Sequence, residues 1–178
     1  MGRFVLESTP MTNQQAAQTT EEPVVGRVLM IAAERPDTDD ATSLIGELEA
    51  VLEPLYPRAS RHGLSVTQLI TEGVLFFVLR VDGLAAGCGG IKLYGNDFAE
   101  VKRMYVRPAF RGLGGGRRLL DHLSAEALAR GLPLLRLETG IHQHAAIALY
   151  EHYGFARIAP FGPYWPDPLS RCYEKRLA

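Results

Sequence analysis

The chain has 178 residues, 47% of them apolar, and its 19 Lys and Arg nearly balance its 20 Asp and Glu for a formal net charge of −1. That length buries the core of one domain. The charge balance leaves no basic footprint for nucleic acid, and the longest apolar stretches, such as residues 74–79, are far too short to span a bilayer.

Residues 1–23 are polar, have no hydrophobic period and lack the apolar core of a signal peptide. A flexible tail is expected there, with one domain over 24–178. Cys88 and Cys172 have neither metal-binding spacing nor a disulfide framework, which fits a reducing compartment and makes the cytoplasm the expected location. Residues 24–33 read as a strand. Asp37, Thr38, Asp39 and Asp40 offer helix caps, and Leu44, Ile45, Leu48, Val51, Leu52 and Leu55 share one helical stripe that Pro54 and Pro57 bring to an end. A loop over 58–63 and a short helix over 66–70 follow. Asp82-Gly83 between the apolar runs 76–81 and 84–93 is a hairpin signal. After a turn at 94–97, residues 99–106 alternate as a strand, and Pro108 marks its end.

The next segment carries the chemistry. Arg111-Gly112-Leu113-Gly114-Gly115-Gly116-Arg117 runs into Leu119, Leu120, Leu123, Ala127 and Leu128 at helical spacing, with Gly131 as the stop. A glycine loop that opens into a helix presents unpaired amides and the positive end of the helix dipole to an anion, here a pyrophosphate. A dinucleotide fingerprint needs a third glycine where Arg117 stands, and a Walker loop needs Lys-Ser/Thr where Arg117-Arg118 follow Gly116. What remains is Arg111-x-x-Gly114-x-Gly116. Residues 134–138 read as a strand and 145–153 as a helix closed by Gly154. Strands over 155–159 and 171–177 complete the chain. Hairpins first, then alternating helices and strands, give an α+β class with a mixed sheet.

Arg111-x-x-Gly114-x-Gly116 resembles the acetyl-CoA pyrophosphate loop of the GNAT N-acetyltransferase superfamily. Residues 99–106 resemble that family's central strand, and Arg136-Leu137-Glu138-Thr139-Gly140 the strand after it. Gln143-x-x-Ala146-Ile147-x-Leu149-Tyr150-Glu151-x-x-Gly154-Phe155 resembles a block that the family begins with Asn. Gln143 departs from the pattern: it keeps an amide donor but reaches one methylene further. The resemblance runs from about residue 24 to the C-terminus. It implies a mixed, mostly antiparallel sheet with splayed central strands, flanked by helices, and acetyl-CoA as acetyl donor with no metal. It also implies that Met104, Tyr105 and Val106 contact the pantetheine arm and that the amides from Arg111, Gly112, Leu113, Gly114, Gly115 and Gly116 to Arg117 hold the pyrophosphate. Gln143 is a further cofactor contact, and an amide near Met104 is the expected oxyanion donor.

Acyl transfer to an amine also needs a proton for the departing thiolate and a base for the amine. Tyr150 is the expected acid, against the alternative of a tyrosine that only packs its helix. Glu100 is the expected base; strand alternation puts it on one face with Lys102 and Met104. An exposed Glu100–Lys102 pair doing no chemistry is the competing reading, and Glu138 the weaker alternative base. The segment with Tyr56, Arg58, Arg61 and His62 is expected to recognise the acceptor, with the two arginines suited to a carboxylate and Tyr164 beside Trp165 walling the opposite side. His142, His144 and His152 read as surface or loop residues, with no metal site. The expected activity is acetyl transfer from acetyl-CoA to a small-molecule amine such as an amino acid or amino metabolite. A protein N-terminal or lysine acetyltransferase and a non-catalytic acyl-CoA-binding module are the alternatives. A small-molecule amine is the expected partner, nucleic acid and membrane are not, and a homodimer is the assembly left open.

Overall fold

The computed structural model describes residues 26–177; the tail expected over 1–23 lies outside them. Strand β1 (Leu29–Ala33) starts five residues later than the sequence pattern suggests. Helix α1 (Asp39–Leu52) begins at Thr38, whose hydroxyl accepts the Ala41 amide, and Asp39 and Asp40 add negative charge to its first turn. Its buried face is Ala41, Leu44, Ile45 and Leu48, while Val51 and Leu55 are left partly exposed. A short helix α2 (Val66–Thr71) is held by a capping box between Ser65 and Gln68.

Strands β2 (Leu75–Val81) and β3 (Leu84–Tyr94) join through Asp82 and Gly83, both at positive φ, as a tight hairpin requires. They are followed by β4 (Phe98–Val106), α3 (Gly115–Leu128), β5 (Leu134–Gly140), α4 (His144–His152), β6 (Ala156–Ile158) and β7 (Ser170–Arg176). The seven strands form one sheet in the order β1-β2-β3-β4-β5-β7-β6, antiparallel throughout except for β4 and β5. On one face α3 and α4 cover Phe77, Ile91, Ala99, Val101, Leu135 and Leu137; on the other α1 and α2 cover Phe76, Val78, Cys88 and Tyr105. Leu119, Leu120 and Leu123 of α3 are fully buried, each contributing roughly 1.5–3 kcal/mol of hydrophobic stabilisation.

Two irregularities in β4 shape the site. Lys102 pairs with Gly90 and Tyr105 with Cys88, so Arg103 and Met104 together oppose Gly89. This is a β-bulge, and Arg103 takes a φ of 52° within it. The extra residue reverses the alternation. Met104 packs with Val101 toward α3, on the face opposite to Glu100 and Lys102, contrary to the alternation read from sequence. The Arg103 guanidinium is fixed on α1's side by the Leu64 carbonyl at 2.7 Å and Glu49 at 2.7 Å. The second irregularity is the parallel pairing of β4 with β5, which covers only Ala99↔Leu135 and Glu100↔Arg136. Beyond those positions the strands splay apart.

Candidate active site

The splayed strands open a cleft of about 720 Å³. Met104, Tyr105 and Val106 form its floor. One wall is the loop and first turn of α3, with Arg111, Gly112, Gly114, Gly115, Gly116 and Arg117; the other is α4 with its N-cap Gln143, contributing Leu149 and Tyr150. Of the eleven positions expected to meet the cofactor, only Leu113 does not line the cleft. Gly114 caps α3 at φ 78°, a conformation that costs other residues about 1–2 kcal/mol. No side chain caps the helix, and the first amide taken up in its ladder is that of Arg118. The amides of Gly115, Gly116 and Arg117 therefore keep their donor capacity for an anion. Arg111 folds back to donate to the Val106 carbonyl at 3.0 Å. Arg107 turns away, clamping Glu47 of α1 and the Ala85 carbonyl. His142 and His144, which read as surface or loop residues, line the cleft, as do Val51 and Leu55; helical periodicity could not separate a cleft-facing apolar residue from a core-facing one.

A second cavity, of about 110 Å³, adjoins the first, and Leu48, Met104, Gln143, Ala146 and Tyr150 line both. It is walled by Tyr56, Arg61, His62, Lys102 and Glu138, which brings together three of the five residues expected at the acceptor. Two glycines keep this wall close. A Cβ on Gly140 would overlap the Tyr56 ring, and one on Gly63 would overlap the Arg103 guanidinium. Tyr56 is buried, and its hydroxyl accepts the His142 amide at 2.8 Å. Arg61 is paired with Glu49 at 3.0 Å. Arg58 is exposed on a 3₁₀ turn (Arg58–Ser60) and lines neither cavity.

Tyr150 is buried, and burial pushes its phenol well above the usual tyrosine range, with the nearby Glu138 charge adding to the effect. A phenol held so firmly protonated can give a proton but not rest as phenolate. Glu138, on the splayed end of β5, is pushed up to about 7 by burial, against the opposing pull of a Ser170 hydrogen bond at 2.5 Å and the Lys102 charge. Glu100 is placed elsewhere. It has no exposed surface and is occupied by Lys102 at 2.8 Å, the Tyr94 hydroxyl at 2.9 Å and the Tyr164 hydroxyl. It lines neither cavity, and neither does Tyr164, whose hydroxyl lies between Glu100 and Lys102.

Free amides at a helix start at one end of the cleft, and a buried phenol with a titratable carboxyl in the adjoining cavity, suit a site for moving an acyl group off an anionic carrier. Comparison with known proteins agrees: the acetyltransferase (GNAT) family pattern matches residues 43–155. The IAA acetyltransferase of Azospirillum brasilense is 47% identical over 148 residues, 83% of this chain and 97% of that one. An uncharacterized N-acetyltransferase of Bacillus subtilis, YsnE, is 31% identical over 76% of this chain and 91% of its own length. Among solved structures, a candidate acyl-CoA N-acyltransferase from Klebsiella pneumoniae superposes with a TM-score of 0.75 at 41% identity, covering 84% of this chain and 98% of that one. The chain belongs to the acetyltransferase (GNAT) family and is an N-acetyltransferase dependent on acetyl-CoA. No helix among the described residues is long and apolar enough to cross a membrane.

Proposed function

We propose that this enzyme acetylates the amine of a small molecule whose reactive end sits in the second cavity, with Glu138 as base and Tyr150 as acid. The carrying observation is the junction between the two cavities, where Tyr150 meets both and Glu138 lies on the acceptor side. At about 110 Å³ the second cavity is much smaller than the cleft of about 720 Å³ that it adjoins. This suits the head of a small amine better than a length of peptide. The IAA acetyltransferase of Azospirillum brasilense, matched over nearly its whole length, supports a small acceptor.

Acetyl-CoA supplies an acyl group already activated as a thioester. The residues around it do the rest. The amides of Gly115, Gly116 and Arg117 hold the pyrophosphate, and backbone groups of Met104 and Val106 on the open edge of β4 hold the pantetheine arm. An amide near Met104 is the oxyanion donor. Glu138, titrating near neutrality, draws a proton from the acceptor ammonium, and Tyr150 returns one to the departing sulfur. Glu100 serves the scaffold instead. With Lys102, Tyr94 and Tyr164 it forms a closed polar network that fixes β4 where the strands part. The test is a thiol-release screen of acetyl-CoA against pooled amino acids, amines and amino-terminal peptides. Turnover on a small amine is the expected result. Acetylation confined to peptides would overturn the small-molecule reading.

A further inference from the structure

Proton balance leaves one step at this site unassigned. A primary amine arrives as R–NH₃⁺. Its nitrogen forms one bond to the acyl carbon and gives up two protons while the C–S bond breaks. One proton ends on the CoA sulfur, and the other must leave the protein. Glu138 can take one at a time, so a second acceptor beside the same cavity would let both leave without an intervening wait.

His62 and Asp167 stand in that place. His62 lines the acceptor cavity from the loop between Ser60 and α2. Its ring is fixed by the edges of Tyr164 and Trp165, with centroids at 5.2 and 4.8 Å. Behind it, 3.9 Å from Nε2, is Oδ2 of Asp167, and the two side chains are only 12% and 6% exposed. Asp167 lies between Pro166 and Pro168. Its Oδ1 accepts the Leu169 amide at 2.9 Å, and its carbonyl accepts the Ser170 amide at 3.1 Å. Oδ2 is buried and, among the described residues, has no hydrogen-bond partner. A buried carboxylate oxygen without a donor is costly. The imidazole is the group that can supply one by closing about 1 Å to normal hydrogen-bond length.

We propose that His62, oriented by Asp167, is a second proton acceptor of the acceptor cavity and passes the proton released by the reaction to solvent. The inference rests on the reading of this cavity as the acceptor site. The charged surroundings favour a resting neutral ring. Burial holds His62 below the ordinary histidine range and Lys102 adds to that, while Asp167 and Glu100 pull the other way. Arg61, Arg103 and Glu138 complete the charged groups on the elements around the cavity. Asp167 itself stays ionised, held low first of all by the Leu169 amide. Protonation then turns a loose 3.9 Å approach into a charge-assisted bond, so Asp167 stabilises most the state that His62 reaches after taking the proton.

The test combines kinetics with a signal that needs no turnover. The His62 ring is titrated by nuclear magnetic resonance in the free enzyme and in Asp167→Asn, where Asn still accepts the Leu169 amide. Its pKa should fall in the variant. An unchanged titration would overturn the role of Asp167. His62→Gln should lose about tenfold or more in kcat, within the range of positioned proton transfer, and should lose one ionisation from the acidic limb of kcat/KM. Acetyl-CoA affinity should stay within about twofold. His62→Ala should regain rate with added imidazole, which a packing residue would not do. A wild-type limb and rate in His62→Gln would overturn the proposal while leaving acetylation through Glu138 standing. Wild-type enzyme inactive on every small amine would instead remove the reading on which the proposal rests.

Discussion

Glu138→Gln should cost the enzyme its base and make the fold sturdier, and the sizes of both effects follow from the carboxyl's surroundings. Burial lifts its pKa from about 4.5 to about 7. In the wild type the carboxylate fraction then climbs from about one tenth at pH 6 to about nine tenths at pH 8, so kcat/KM should rise roughly tenfold over that interval. The variant should lie at least about 100-fold lower at pH 8 and lack that rise. The linkage has a definite sign. A group whose pKa is higher folded than unfolded binds its proton more tightly when folded, so its stabilising effect is complete below about 4.5 and is lost as pH rises through about 7. A difference of about 2.5 in pKa, at about 1.36 kcal/mol per unit, makes that loss roughly 3 kcal/mol. Gln has nearly the same volume, still accepts from Ser170 and never ionises. Urea unfolding should therefore find the two proteins alike at pH 4.5 and the variant more stable by up to roughly 3 kcal/mol at pH 8. Parallel pH profiles of stability for the two proteins would refute the claim that this carboxyl is desolvated. Retention in the variant of the ionisation near pH 7 would refute its role as base.

Other substitutions probe the remaining parts. Gly116→Val places carbon 2.9 Å from Leu149 across the cleft; calorimetry should find acetyl-CoA binding abolished, with Arg111→Ala weaker in effect. Tyr150→Phe should lower kcat about 100-fold or more with little change in acetyl-CoA affinity, measured by rapid mixing. Glu100→Gln should leave the acidic limb of kcat/KM in place and lower unfolding free energy by about 3 kcal/mol or more, because it strands the Lys102 ammonium in the interior. Gly140→Ala forces Tyr56 off the His142 amide; about 1–3 kcal/mol of stability should be lost, with KM for the acceptor rising more than KM for acetyl-CoA.

That the glycine loop lines the cleft was legible because the signal is local. A loop from Arg111 to Arg117 must be glycine-rich to show its amides, and a helix must follow to leave them free, so chemistry and signature share one stretch of chain. The cavity proposed for the acceptor is assembled from distant segments: Tyr56 and His62 from one loop, Lys102 from β4, Glu138 from β5. The choice between Glu100 and Glu138 illustrates the difficulty. Glu100 stands on the strand that the motif marks, yet cross-strand partners at Tyr94 and Tyr164 close over it, and those partners are set by tertiary packing. The alternation that placed Met104 beside Glu100 fails at Arg103, an arginine in a left-handed conformation that no local sequence signal announces.

The parting of β4 from β5 also bears on how long the protein lasts. Only two residue pairs stitch the sheet across its middle, so the strands on either side depend on α3, α4 and whatever lies in the cleft to stay together. A bound carrier acts as extra rungs in that ladder. Occupancy by acetyl-CoA at about a hundred times its dissociation constant would add about 2.7 kcal/mol to the folded state, a large share of what usually separates a domain from its unfolded chain. When acetyl-CoA runs low the enzyme would lose its donor and its brace together, and proteases would reach an opened sheet. The abundance of this protein would then follow the acetyl supply that it spends.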